Sequence, residues 1–85
     1  MSKNQQITKN IKLSEKLAEY IANNPNQVKR FPVNVSYVTF SSRDEKLNSV
    51  NEQLIKSLKS EGKKVIKAQE TVDNDTPWKF TPLFS

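Results

Sequence analysis

The chain has 85 residues, a formal charge of +5 and 34% hydrophobic residues, which suffices for one small core and not for two, because a chain this short buries only about 60% of the surface its unfolded form exposes. It contains no cysteine and no histidine. That excludes disulfides, thiolate metal sites, a thiol nucleophile and the commonest general base, leaving carboxylates, lysine, tyrosine and hydroxyls for catalysis.

The apolar fraction lies below the roughly 45 to 50% of ordinary globular domains, so burial only narrowly offsets chain entropy and homodimerisation would be a natural remedy. The opening "MSKNQQITKN" has no apolar core of the signal-peptide kind and nowhere do 18 apolar residues run together, so the expectation is a soluble, cytoplasmic protein without a membrane partner. Residues 1–32 hold six Lys/Arg against two Glu (+4), residues 33–62 four against four, and residues 63–85 four against three (+1). The positive excess is thus an N-terminal property. It suits nucleic acid, an acidic protein or a lipid headgroup, although lysines that merely solvate the surface are the plainer reading.

In chain order, residues 1–8 are expected as a flexible N-terminus, followed by a single domain over residues 9–72. A first helix is predicted over residues 9–23, where Leu13, Leu17, Tyr20 and Ile21 form one apolar stripe and Asn10 or Thr8 caps the start. Asn24 and Pro25 open a further turn, with Val28 and Phe31 closing onto the core. Pro32 forces an extended approach to a strand in which Val33, Val35 and Tyr37 share a face, while Val38 and Phe40 turn to the other. The second helix is the clearest element. Leu47, Val50, Leu54, Ile55 and Leu58 make its stripe, acids precede bases along it, Ser42-x-x-Glu45 has the form of a capping box, and Gly62, the single glycine, falls at the left-handed stop. A second strand follows through Val65, Ile66 and Ala68.

Strand, helix and strand make a βαβ unit with parallel strands and a right-handed crossover. The fold class predicted is therefore two-layer α/β in the order α-β-α-β. Two parallel strands alone make a poor sheet, so a third is expected from residues 77–84, from a partner subunit, or from both.

The loop "SSRDE" stands where α/β proteins often hold phosphate, and Arg43 offers a planar fork for an oxyanion. It has no glycine, and Asp44 and Glu45 compete for the same N–H groups, so a helix cap is the preferred reading over a small-anion or nucleotide site. Asp73 and Asp75 do not extend into a calcium loop, because Trp78 and Phe84 stand where glycine and glutamate are needed, and no cofactor is implied. Lys9, Lys12 and Lys16, with Lys29 and Arg30, could neutralise nucleic-acid phosphates but form no known reading motif. The tail over residues 73–85 concentrates Trp78, Phe80, Leu83 and Phe84. These either dock on the sheet of this chain or a partner's, the preferred reading, or serve an unknown protein partner with Trp78 as its hot spot.

Over residues 10–68 the chain resembles a family of small uncharacterised prokaryotic proteins, a domain of unknown function. The resemblance rests on Asn10, Leu13, Ser14, Tyr20, Pro25, Pro32, Asp44, Leu47, Asn48, Asn51, Leu54, Gly62, Lys63 and Val65 in order and spacing. "SSRD" is less acidic than the family's loop, and nothing after Glu70 has a counterpart. The resemblance implies the same α-β-α-β order and no activity. It draws attention to Asn48 and Asn51, placed either to bond a ligand in the crevice at the strand ends or to brace the loop, the preferred role. Together these readings describe a non-catalytic protein–protein interaction module acting as a homodimer, with nucleic-acid binding by the N-terminal helix and anion binding at Arg43 as alternatives.

Overall fold

The structure, a computed structural model, describes residues 1–84; Ser85, the last residue of the tail, lies outside the described residues. Its elements are α1 (Lys3–Asn23), a 3-10 turn (Pro25–Gln27), β1 (Val35–Phe40), α2 (Glu45–Ser60), β2 (Lys64–Glu70) and β3 (Trp78–Pro82). This is the α/β class the sequence indicates. Strand β2 is central, parallel to β1 and antiparallel to β3, so the third strand comes from the chain's own tail.

Helix α1 starts at Lys3 rather than Lys9, and residues 3–8, expected as a flexible lead-in, form its first turns. Ser2 is the cap: its Oγ accepts from the Gln5 N–H at 3.2 Å, and Gln5 Oε1 accepts from the Ser2 N–H at 3.2 Å. This reciprocal box satisfies two donors at the helix start, and it leaves Thr8 and Asn10, the expected caps, inside the helix. At the far end, Asn24 Nδ2 donates to the Tyr20 carbonyl and Pro25 opens the 3-10 turn, as expected. Val33 lies in the turn before β1 and is fully exposed, so the strand begins two residues later than its alternation suggested.

Helix α2 is capped by Asp44, whose carboxylate accepts from the Leu47 N–H at 3.1 Å, and not by the Ser42-Glu45 box. Ser42 is drawn instead to Glu70, to which its N–H and hydroxyl both donate. The buried face of α2 runs through Leu47, Asn51 and Ile55, while Leu54, expected in the stripe, is 39% exposed. Gly62 sits at φ +79°. With it, the Lys63 N–H reaches the Leu58 carbonyl and the Gly62 N–H the Lys59 carbonyl, both at 3.0 Å, a Schellman stop that needs a left-handed residue.

Neighbours in register share a face, so Tyr37, Ile66, Ala68, Trp78 and Phe80 look one way and Val38, Phe40 and Val65 the other. Of the first set, Tyr37, Ala68, Trp78 and Phe80 pack with Leu13, Leu17, Tyr20 and Ile21 of α1 and with Leu47; the second packs with Ile55 and Leu58 of α2 and with Leu83. Apolar cover therefore lies on both faces of the sheet, more than two layers strictly need, because Val38, Phe40 and Val65 would otherwise be left in water. The end of the sheet where β1 and β2 finish is left open between α1 and the start of α2.

Candidate functional site

The loop after β1 spends most of its polar groups on itself. Ser41 Oγ accepts from the N–H groups of Arg43 and Asp44. Asn48 holds the backbone of Ser41 at both ends, its Oδ1 accepting from the N–H at 2.7 Å and its Nδ2 donating to the carbonyl at 2.9 Å. Asn51 is wholly buried and donates through Nδ2 to the Thr39 carbonyl (2.9 Å) and to Asn10 Oδ1 (2.8 Å), while its Oδ1 accepts from Asn10 Nδ2 (3.2 Å). Asn48 and Asn51 are braces with their hydrogen-bonding groups occupied by the chain itself. No buried side-chain polar atom lacks a partner among the described residues.

Above this braced loop lies a cleft of about 250 Å³, lined on one side by Lys9, Lys12 and Lys16 of α1 and on the other by Arg43, Asp44 and Glu70. At 100° per residue, Lys9, Lys12 and Lys16 fall on one flank of the helix, and that flank faces the strand ends. Residues considered separately in the sequence, the lysines for nucleic acid and Arg43 for an anion, are thereby brought to one place. Two of the lysines are engaged: Lys9 Nζ lies 2.8 Å from Asp44 Oδ2 and Lys16 Nζ 3.3 Å from Glu70 Oε2. The hydrogen bond from Lys9, then that from the Leu47 N–H, holds Asp44 below its usual carboxylate range. Burial pushes Glu70 up, but the bonds from Ser42 and Lys16 outweigh it and hold Glu70 low as well. Both acids are therefore charged at neutral pH and already matched.

Lys29 and Arg30 follow the 3-10 turn and do not line the cleft; the Arg30 guanidinium stacks 4.6 Å from the centre of the Phe31 ring. In the tail, Trp78 is buried with Leu13, Leu17 and Ala68. Phe80 is met by Tyr20, Phe31 and Tyr37 at ring distances of 6.5, 6.1 and 6.2 Å. Leu83 packs against the second core cluster and its N–H donates to the Val65 carbonyl. Phe84 is half-buried with Lys64 Nζ 5.8 Å from its ring centre. The tail's apolar groups are thus largely spent on this chain. The loop before it is ordered by Asp73, whose carboxylate accepts from the Asp75 N–H and the Thr76 hydroxyl.

A bare apolar surface lies elsewhere, on residues the sequence reading passed over. Ile7 and Ile11 are 50% and 53% exposed and, with Ser14 and Ala18, line a shallow groove of about 450 Å³ along α1. Their spacing of i, i+4, i+7 and i+11 is a second helical stripe, readable beside the first, and it lies on the flank away from the lysines. Among the described residues no helix is long and apolar enough to cross a membrane. Comparison of the chain with family models, with curated proteins and with solved structures finds no match.

Proposed function

We propose that the chain is a small non-catalytic interaction module that works as a homodimer, with two copies meeting antiparallel along α1. The observation that carries this is the bare stripe of Ile7, Ile11, Ser14 and Ala18 on a helix whose other apolar stripe packs on the sheet through Leu13, Leu17, Tyr20 and Ile21. A two-fold axis between residues 12 and 13 sets Ile7 of one copy over Ala18 of the other, and Ile11 over Ser14, so that each large side chain meets a small one. Asn10 then stands opposite Glu15. The lysine flank points away from such a seam, which limits like-charge repulsion between two chains of +5 each. The thin apolar composition favours the same reading, since a second copy supplies the burial that one chain lacks.

One helix pair buries little area, so the dimer belongs to the weak, exchanging class of interfaces. Sedimentation over a wide range of protein concentration should show mass rising from one chain to two. Ile11→Lys should hold the protein at monomer mass while leaving its thermal unfolding nearly unchanged, because Ile11 is half-exposed in the single chain. A wild-type protein that stays monomeric at the highest concentration, or a dimer indifferent to both Ile7→Lys and Ile11→Lys, would sink the proposal.

A further inference from the structure

We propose that the cleft between α1 and the β1 to α2 loop is an oxyanion site that takes a phosphate group, held by Lys12 and Arg43. Four cationic side chains and two carboxylates line it, a surplus of two positive charges. The surplus can be located. Lys9 and Lys16 are engaged by Asp44 and Glu70, whereas Lys12 and Arg43, from elements 31 residues apart in sequence, form no ion pair within 4 Å among the described residues. The N–H groups of Ser42, Arg43, Asp44 and Leu47 are each taken by a side chain of this chain, so the site is one of side chains and not of the helix terminus. An ammonium and a guanidinium lining one concave surface match a dianion in charge, and the guanidinium supplies the paired donors that a phosphate accepts.

Size narrows the ligand class. At about 250 Å³ the cleft falls below the roughly 300 to 1,000 Å³ of sites for drug-sized molecules, which suits orthophosphate or a phosphomonoester with little attached. A nucleic-acid strand is the less favoured occupant. On the flank of α1 that lines the cleft it would find one unengaged lysine, Lys12, because reaching Lys9 and Lys16 means breaking their pairs with Asp44 and Glu70.

The site does not depend on self-association, since it occupies the opposite flank of α1, and the two readings can fail separately. The full chain is titrated with inorganic phosphate, with glycerol phosphate, with a short single-stranded DNA, and with chloride at matched ionic strength, read by amide chemical shifts and thermal stabilisation. Saturable shifts in Ser41 to Lys46 and around Lys12 are expected with phosphate and the monoester but not with chloride. Arg43→Ala and Lys12→Ala should each weaken binding roughly tenfold, as the loss of one charge-assisted contact predicts, and Ile11→Lys should bind as the wild type does. Equal responses to phosphate and chloride, unchanged binding in the Lys12→Ala/Arg43→Ala double variant, or binding of the DNA without binding of phosphate or monoester would each overturn the proposal.

Discussion

The C-terminal tail and the outer flank of α1 carry apolar side chains of similar weight, and the fold treats them in opposite ways. Trp78 is 6% exposed, whereas Ile7 and Ile11 are each about half exposed. The difference lies in backbone geometry. An extended segment beside β2 satisfies its N–H and C=O groups on the sheet and turns alternate residues, Trp78 and Phe80, onto the face that α1 covers. A helix offers one stripe to the sheet at a time, so α1 can bury Leu13 and Leu17 or Ile7 and Ile11, but not both. Local density of apolar residues therefore says little about exposure; what matters is whether the element has a second face and whether anything of this chain is left to cover it.

The sharpest way to break that comparison is to truncate one side chain from each region. Trp78→Ala should cost about 3 to 5 kcal/mol, a large part of the roughly 4 to 13 kcal/mol expected for a chain of this length. Denaturant unfolding should show a sharply lowered midpoint or no cooperative transition, and removal of residues 77–84 should do the same by stripping β2 of its antiparallel neighbour. Ile11→Ala in the monomer should change stability by no more than about 0.5 kcal/mol. Comparable losses at both positions would mean that α1 packs by its other flank.

Much of this architecture is legible in the sequence because it rests on short-range periodicity. The α2 stripe through Leu47, Ile55 and Leu58, the glycine stop at Gly62 and the strand through Val65, Ile66 and Ala68 need no knowledge of distant residues. The start of α1 is not legible in this way, although Ser2-x-x-Gln5 has the capping form, because residues 2–6 hold no apolar side chain to mark a stripe. Asn51 was missed as core for a deeper reason. A polar residue within an apolar stripe reads as surface unless its partner is known, and that partner, Asn10, lies 41 residues away. The cleft is similar: Lys12 and Arg43 are each visible as cations, but only the packing of α1 against the strand ends brings them together.

The exchange of Leu54 for Asn51 in the buried face gives the next test. Asn51→Ala deletes three hydrogen bonds and leaves the buried Thr39 carbonyl and the part-buried Asn10 amide without their partner, which should cost roughly 2 kcal/mol. Leu54→Ala, on the same helix and apolar, should cost well under half as much, since the side chain is 39% exposed. A double-mutant cycle of Asn10 and Asn51 separates their mutual bond from the one to Thr39, with a coupling of about 1 kcal/mol expected.

The smallest effect concerns how the end of β2, next to the tail, is tied to α1. Glu70 receives bonds from the Ser42 N–H at 3.1 Å, the Ser42 hydroxyl at 3.2 Å and Lys16 at 3.3 Å; burial raises its pKa, yet these contacts leave it below the ordinary value of 4.5. A carboxyl whose folded pKa is depressed adds stability that is fully present above its unfolded value and is lost as pH falls through the folded one. The wild type should therefore lose stability below about pH 4.5 more steeply than Glu70→Gln. At pH 7 the variant should be the less stable by about 1 kcal/mol, a modest figure because Lys16 is 66% exposed and screened; below the folded pKa the two curves should meet. Thermal unfolding from pH 7 to pH 2.5 reads this difference directly. Parallel curves over the whole range would mean that Glu70 is no more strongly held in the fold than in the open chain, and that its bonds to Ser42 and Lys16 do not tie the end of β2 to α1 and the loop.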